Sequence, residues 1–322
     1  MRVLVTGAGG FVGPYVVHAL AARGHDVHGL VHESDAPGRV DGLPMTPHPG
    51  DVLDAPGLAT TVAEVVPEAV VHLAALSFVP EAERDPPAAY RVNVGGTLAV
   101  LSAVRAHAPR SRLLYVGSGD AYGAVRPDEL PIDEGVPLRP LSVYGASKAA
   151  AEVTVAQWGR TYGLDVVRVR PFNHTGPGQS PTFVCPALAK QVADIEAGRQ
   201  TPVLRVGNLD PVRDVSDVRD VVAGYVALLE RGQGGQVYNL CSGVGRSIRE
   251  LVELFRSLAR VSIEIAQDQV LVRRVDVPCV VGSYARATAD AGWRPAIAFE
   301  QTAADVLAGW RESVARKSAA GA

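Results

Sequence analysis

The sequence predicts an α/β fold, in which a doubly wound parallel sheet is followed by a smaller α/β domain towards the C-terminus. Three observations predict it. Short apolar runs alternate with helical segments from residue 1 to about residue 170, which is the pattern of parallel strands with crossover helices. A glycine-rich turn joins the first apolar run to the first helix. After Pro171 the elements become shorter and the loops longer, which indicates a second domain.

The predicted elements follow one another in regular alternation. Strands are predicted at residues 2–6, 25–31, 69–73, 112–117 and 165–170, with a short strand that closes at Gly50 and Asp51. Helices are predicted from the glycine-rich turn to about residue 23, at 88–107 and at 144–162. Later helices are expected at 185–197, 218–231, 248–259 and 299–314, and later strands at 203–207 and 236–241. We assign residues 1–170 and about 205–240 to the first domain, and about 171–204 and 241–322 to the second.

The composition is that of an ordinary globular chain. Of 322 residues, 47% are hydrophobic and 20% are charged, and the net charge is −3, so the chain can bury a sizeable core. No charge run predicts a nucleic-acid partner, and no apolar run is long enough to span a bilayer. Cys185, Cys241 and Cys279 are scattered without metal-type spacing. We therefore expect reduced thiols, no metal site, no signal peptide and a cytoplasmic location.

The turn after the first strand has the spacing of a dinucleotide-binding fingerprint. Gly7, Gly10 and Gly13 fit the pattern GxxGxxG between a strand and a helix, with Phe11 and Val12 between the last two glycines. The first glycine makes the tight turn, the second lets the backbone approach a pyrophosphate, and the third lets helix and strand pack closely. We therefore expect this segment to bind a dinucleotide.

The ends of the second and third strands bear on which dinucleotide is bound. An NAD site usually has a carboxylate there for the ribose 2′-hydroxyl, whereas an NADP site has an arginine for the 2′-phosphate. This chain has His32 and Glu33 instead. They could contact a phosphate and a hydroxyl, or could be solvated, so the choice of nicotinamide stays open. Asp51, followed by Val52, is placed to meet the adenine edge or to cap its turn.

Small residues follow the fourth strand, at the edge where open α/β sheets bind ligands. Ala74 and Ala75 leave room there for a coenzyme, which is also expected to contact Leu73 at the end of the strand. Pro171 ends the sixth strand at the same edge. Asn93 lies on the helix after the fourth strand. It could contact the coenzyme, or it could tie the helix to the strand.

Tyr144 and Lys148 are the candidate acid–base pair. Residues four apart on a helix share one face. A phenol titrates near pH ~10, and a nearby ammonium is expected to lower that pKa, so the tyrosine could exchange protons near neutral pH. The alternative is an ordinary surface pair. Most of the 31 basic residues are arginines, so a lysine at this position suggests a need for a compact ammonium.

Four motifs occur in the order found in one enzyme family. They are TGxxGFxG at 6–13, HxAA at 72–75, Ser118 four residues before a Tyr-Gly pair, and YxxxK at 144–148. With them the chain resembles the extended short-chain dehydrogenases/reductases, the NAD-dependent epimerase/dehydratase family, whose coenzyme domain is of Rossmann type. The segments RPFNHTGPGQSP at 170–181, VGNLDxxRD at 206–214 and DVRDVV at 217–222 resemble the reductases of the GDP-mannose branch. The segment VHGLV at 27–31 is more similar to the GDP-mannose 4,6-dehydratases.

The resemblance implies NADP(H)- or NAD(H)-dependent reduction of the 4-keto group of a GDP-4-keto-6-deoxyhexose. Tyr144 would donate the proton, Lys148 would hold the nicotinamide ribose, and Ser118 would bind the carbonyl oxygen or, alternatively, satisfy a backbone group. Candidate substrate ligands are Ser77, Gly119, Asp120 and Asn173 and, for the diphosphate, Lys190, Arg213 and Arg273. The helices that carry Asn93 and Tyr144 are expected to pair across a homodimer.

Other activities of the same family remain open. The dehydratases have Asp-Glu or Ser-Glu where this chain has Gly119 and Asp120, which favours reduction over elimination of water. An NDP-sugar 4-epimerase or 4,6-dehydratase with tightly bound NAD(P) is the alternative. A non-catalytic dinucleotide sensor is less well supported, because it would not need both the tyrosine and the lysine.

Overall fold

The computed structural model describes residues 1–35, 38–271 and 277–320. Its strands are β1 (Arg2–Thr6), β2 (Asp26–Val31), β3 (Thr46–Pro49), β4 (Ala69–His72), β5 (Arg112–Val116), β6 (Asp165–Pro171), β7 (Asn173–Thr175), β8 (Val203–Val206), β9 (Val212–Asp217), β10 (Val237–Leu240), β11 (Gly245–Ser247), β12 (Glu264–Gln267) and β13 (Cys279–Val280). Its helices are α1 (Gly13–Ala21), α2 (Ala55–Val65), α3 (Val79–Arg84), α4 (Pro86–Tyr90), α5 (Thr97–His107), α6 (Val143–Tyr162), α7 (Val184–Glu196), α8 (Val218–Arg231), α9 (Ile248–Ser257), α10 (Ala285–Ala291) and α11 (Phe299–Ala320).

A seven-stranded parallel sheet forms the centre of the first domain. Its strand order is β10-β6-β5-β4-β1-β2-β3. Alternate residues of β1 face opposite layers: Val3 and Val5 pack with α1, α8 and α10, whereas Leu4 packs with α2, α5 and α6. The order reverses between β1 and β4, and open sheets bind ligands at such a switch point, beyond the carboxyl ends of the strands. The predicted doubly wound α/β fold is confirmed.

Two small sheets accompany the large one. In the first, β9 pairs with β7, β11 and β13, and in the second β8 pairs with β12. A separate apolar core holds α7, α9 and α11 together. The assignment of residues 205–240 to the coenzyme domain stays a prediction. Within that range, α8 packs on the large sheet and β10 pairs with β6, whereas β9 belongs to a small sheet.

The helix predicted at 88–107 differs from the structure. The chain forms α4, then a π-helical turn at Arg91–Gly96, and only then α5. Asn93 lies in this turn, and its side chain contacts the loop after β4. A π turn widens the helix by one residue and is often found at functional sites, which sequence periodicity does not register.

Close packing of α1 on the turn that follows β1 explains the third glycine of the fingerprint. A Cβ atom on Gly13 would lie 2.0 Å from the carbonyl oxygen of Ala8, which no side chain tolerates.

Within the described ranges, no helix combines the length and the apolar character needed to cross a membrane.

Candidate active site

The glycine-rich turn contacts the loop after β4 directly. Gly7 has a left-handed backbone with φ +71°, and a Cβ atom on it would lie 2.8 Å from the amide nitrogen of Ala74. A side chain at Gly7 is therefore excluded by both conformation and space. The close approach brings the predicted coenzyme residues Leu73, Ala74 and Ala75 to the switch point of the sheet.

The start of α1 can receive an anion. Its first residues have no side-chain cap at Val12, so backbone N–H groups of the first turn are directed outwards. A Cβ atom on Gly10 would meet only the carbonyl oxygen of Gly7, at 3.2 Å, and a ligand could approach the Gly10 backbone closely from its other side. Phe11 stacks on the ring of His174, with 6.3 Å between centroids. This turn fits the pyrophosphate of a dinucleotide.

His72 of the HxAA motif is structural. Its ring nitrogens lie 2.7 Å from Thr6 Oγ1 and 3.0 Å from Thr97 Oγ1. Because Thr97 donates its own hydrogen to the Asn93 carbonyl, His72 donates to Thr97 and accepts from Thr6. Burial, with the Lys148 charge as a smaller cause, lowers the pKa of His72 to about 3. The neutral ring therefore ties β1 and β4 to α5.

Asn93 joins the loop after β4 to the catalytic helix. Its side chain accepts a hydrogen bond from the Leu76 amide at 2.8 Å, and it donates to the Leu76 carbonyl and to Ser147 Oγ. Ser147 lies between Tyr144 and Lys148 in the sequence. These contacts support the alternative that Asn93 positions the helix, and its contact with a coenzyme stays a prediction.

Ser118 and Tyr144 are brought together by the fold. Ser118 follows β5, is buried, and accepts a hydrogen bond from the Asp120 amide at 3.1 Å. Its hydroxyl is also close enough to the Tyr144 phenol to lower the pKa of that group. The alternative that Ser118 satisfies a backbone group is therefore observed, and its binding of a substrate carbonyl oxygen stays a prediction.

The expected lowering of the Tyr144 pKa is wrong. Desolvation is the largest influence and raises the pKa of Tyr144 above its ordinary value. The Asp120 carboxylate raises it further, and the nearby Ser118 hydroxyl opposes both effects. The sequence identified the ammonium one turn away but could not reveal the burial or the nearby carboxylate. Tyr144 is therefore a protonated phenol at neutral pH.

Lys148 is buried and only partly protonated at neutral pH. Desolvation lowers the pKa of Lys148 to about 7, and the Glu152 carboxylate opposes this shift. The ammonium lies 4.9 Å from the centre of the Tyr115 ring, where a cation is favourable. The group can therefore carry its charge only with the help of neighbours.

Below the site lies a buried network that the sequence did not predict. Glu152 accepts two hydrogen bonds from the Arg170 guanidinium, at 2.6 and 2.8 Å. Arg170 also donates to the Tyr122 hydroxyl, which donates to Asn239. One signal could have revealed it, because Glu152 follows Lys148 by four residues and so lies on the same helix face.

At the ends of β2 and β3, the structure brings His32 and Asp51 together. The His32 ring lies 3.4 Å from the Asp51 carboxylate and 2.6 Å from Ser34 Oγ. Asp51 also accepts a hydrogen bond from Leu53, which is the turn-capping alternative. Val52 is buried in the core. Asp35, which the sequence analysis did not consider, packs against the glycine-rich turn.

The sugar-binding candidates lie at different places near the strand ends. Gly119 is buried against Phe172, whose ring would be 3.2 Å from a Cβ atom at residue 119. Asp120 is exposed and acts on the Tyr144 pKa, and Ser77 is exposed in the loop after β4. Pro171 is the last residue of β6 and pairs with Leu240.

The diphosphate candidates have different partners. Asn173 is exposed on β7 and pairs with Val215 of β9, two residues after Arg213. Arg213 donates to the carbonyl oxygens of Val212 and Val277. Lys190 forms an ion pair with Asp194 on its own helix at 2.6 Å, which would compete with a phosphate. Arg273 lies outside the described residues.

The described residues form neither a metal site nor a disulfide. Among residues 1–35, 38–271 and 277–320, no group of three or more His, Cys, Asp and Glu side chains is arranged to hold a metal ion. The three cysteines, all of them described, form no disulfide.

Replacing Lys148 by methionine should stabilise the protein at low pH. The folded-state pKa of Lys148 is about 7, below the ~10.4 of an unfolded lysine. The folded state therefore binds fewer protons between these values, and the lysine destabilises the fold most at the acidic end. We expect Lys148→Met to raise the free energy of unfolding by on the order of 2 kcal/mol near pH ~6, and by less near pH ~9.

Urea unfolding at both pH values measures the difference. Lys190→Met is the matched control, because Lys190 is partly exposed and paired with Asp194, so its effect should be small and almost independent of pH. An equal effect of Lys148→Met at both pH values would show that Lys148 is not buried with a lowered pKa.

Comparison with known proteins shows the family of the chain. The family described as GDP-mannose 4,6 dehydratase matches residues 4–306. The GDP-6-deoxy-D-mannose reductase of Pseudomonas aeruginosa is 42% identical over 313 residues, covering 97% of this chain and 98% of that protein.

Solved structures of related enzymes are also similar to this chain over almost its full length. The structure of RMD from Pseudomonas aeruginosa complexed with NADPH has a TM-score of 0.85 at 39% identity and covers 97% of this chain and 99% of that one. The UDP-glucose 4-epimerase of Thermus thermophilus in complex with NAD has a TM-score of 0.86 at 30% identity, with coverage of 97% and 99%. The chain belongs to the GDP-mannose 4,6-dehydratase family of extended short-chain dehydrogenases/reductases.

Proposed function

We propose that the protein reduces the 4-keto group of a GDP-4-keto-6-deoxyhexose with a reduced nicotinamide coenzyme. The observation that carries the proposal is the proximity of the buried Ser118 hydroxyl to Tyr144, whose pKa is raised, one turn from Lys148. The name of the 42% identical relative, GDP-6-deoxy-D-mannose reductase, supports the substrate class. The solved relatives hold NADPH and NAD, which supports a nicotinamide coenzyme and leaves its ribose phosphate open.

The chain's own residues would supply the proton and the oxyanion site. When bound, the reduced nicotinamide supplies a hydride for the carbonyl carbon. The carbonyl oxygen lies between Ser118 and Tyr144, where two hydroxyl groups can donate to it. As negative charge develops on this oxygen, Tyr144 transfers its proton, because an alkoxide is far more basic than a phenolate. A tyrosine that stays protonated at neutral pH suits this direction of reaction.

Lys148 would hold the nicotinamide ribose and stabilise the phenolate left on Tyr144. Its charge depends on Glu152, which opposes the effect of burial on its pKa. Arg170 fixes Glu152 through two hydrogen bonds. The buried network therefore acts on the site through Lys148.

We further propose that residues on both sides of the sheet edge bind the sugar nucleotide. Asp120 and Ser77 would contact sugar hydroxyls, and Gly119 would leave room for the ring. Asn173 and Arg213, on neighbouring strands, would bind the diphosphate. Lys190 and Arg273 remain weaker candidates, the first because of its ion pair with Asp194.

An epimerase or 4,6-dehydratase is the second candidate, and the structural similarity to a UDP-glucose 4-epimerase favours it. These enzymes begin by oxidising a sugar hydroxyl, which requires a base. The raised pKa of Tyr144 opposes that role. A reductase consumes one reduced nicotinamide per ketone, whereas an epimerase or dehydratase consumes none. A non-catalytic sensor would show binding of the dinucleotide without turnover.

We also propose a cytoplasmic homodimer formed through α5 and α6. These neighbouring helices carry Leu98 and Val153, which are 38% and 61% exposed although apolar. Between them a shallow groove is lined by Ser102, Arg105, Ala106 and Trp158. A second copy of the same helices would cover these side chains.

Replacing Tyr144 by phenylalanine should lower turnover by a factor of about 10²–10⁴, because the proton donor is lost. Turnover is measured as loss of absorbance of the reduced coenzyme with GDP-4-keto-6-deoxymannose. Coenzyme binding should change little. Tyr162→Phe, an exposed tyrosine on the same helix, is the control and should keep wild-type activity. Unchanged turnover of Tyr144→Phe would contradict the proposed role.

Replacing Val153 by aspartate should dissociate the dimer, because it places a charge in an apolar interface. The mass in solution, from light scattering or sedimentation, should fall from two chains to one. Val261→Asp is the control, since Val261 is a 45% exposed valine away from both helices. A wild-type protein that is already monomeric would refute the proposed pairing.

A further inference from the structure

The Asp35 carboxylate lies inside the glycine-rich turn. Asp35 Oδ2 accepts a hydrogen bond from the His32 amide at 3.0 Å. A Cβ atom built on Gly9 would lie 2.2 Å from the same oxygen and 2.3 Å from Asp35 Cγ. The carboxylate therefore packs against the Cα atom of Gly9, and a side chain at residue 9 would have to displace it. Gly9 is not one of the glycines with a positive φ, so it is the contact with Asp35, and not the backbone conformation, that restricts residue 9.

The groups around Asp35 are mainly acidic. Glu33 is an exposed carboxylate two residues earlier. The Asp51 carboxylate lies 3.4 Å from the His32 ring, whose other nitrogen is 2.6 Å from Ser34 Oγ. His32 is thus already engaged by neighbours on two sides. The cation nearest in the sequence, Arg39, donates to the carbonyl oxygen of Gly178 at 3.0 Å.

This position is where a dinucleotide presents its adenosine ribose. In a parallel sheet of this kind, the pyrophosphate lies at the glycine-rich turn and the ribose at the end of the second strand. A carboxylate accepts hydrogen bonds from the 2′- and 3′-hydroxyl groups. A 2′-phosphate at the same place would put a negatively charged phosphate against the Asp35 carboxylate in a partly desolvated site.

We propose that Asp35 binds the adenosine ribose hydroxyls and makes the protein select NAD(H) over NADP(H). Its carboxylate replaces the residue usually found directly at the end of the second strand, where this chain has His32. The selection has a repulsive part, since the phosphate of NADP(H) is disfavoured by Asp35, and an attractive part, since the hydroxyls of NAD(H) are bound. The proposal specifies the coenzyme of the proposed reductase, and it can be tested by binding alone.

Titration of the full-length protein with NADH and with NADPH, followed by coenzyme fluorescence, tests this proposal. The wild-type protein should bind NADH at least ~10-fold more tightly. Asp35→Asn keeps the shape but removes the charge, and should reduce this ratio at least ~10-fold, mainly through tighter binding of NADPH. Glu33→Gln removes a charge from the same turn without the contact to Gly9, and should change the ratio less than ~3-fold.

Two results would overturn the proposal. One is a wild-type protein that binds NADPH more tightly, and in that case Arg39→Gln would show whether Arg39 binds the phosphate. The other is an Asp35→Asn protein whose ratio is unchanged. Neither depends on turnover of a sugar nucleotide. Tight binding of NADH without reduction of any GDP-ketosugar would leave the coenzyme proposal standing while the proposed function failed.

Discussion

Burial of Lys148 beside the half-buried Tyr144 is the constraint on which the rest of the site depends. Burial disfavours any charged form, so it moves the tyrosine pKa up and the lysine pKa down to about 7. Both groups are driven towards neutrality. A neutral phenol is the form needed by a proton donor, but a neutral amine is not the form needed to hold a ribose or a phenolate. The Glu152 carboxylate, held in place by Arg170, opposes the loss of charge on Lys148.

The fold positions Tyr144 and Lys148 through contacts between residues that are far apart in the sequence. His72 and Thr97 tie the sheet to α5, while Asn93 ties the loop after β4 to α6. The same edge holds the glycine-rich turn, because Gly7 allows its backbone to approach Ala74 closely. Coenzyme and substrate would therefore meet at one point, where the order of the strands reverses.

How much of this could be predicted from the sequence depends on how local each feature is. The glycine turn, the parallel sheet and the YxxxK pair follow from spacing within one or two elements, and the fold and family are confirmed. The π turn around Asn93, the Glu152–Arg170 pair and the contact of Asp35 with Gly9 depend on tertiary packing, which periodicity does not encode. The sign of the Tyr144 pKa shift was wrong for the same reason, since spacing revealed the ammonium but not the burial.

The pH dependence of kcat/KM for reduction of GDP-4-keto-6-deoxymannose tests the central claim most directly. If Tyr144 acts as a protonated donor and Lys148 must be charged, kcat/KM should be constant in weak acid and fall above about pH 7 as Lys148 loses its proton. Tyr144, with a raised pKa, should add no second decrease below pH ~10. Activity that rises from neutral pH towards pH ~9 would contradict the account, because it would mean that the phenolate is the working form.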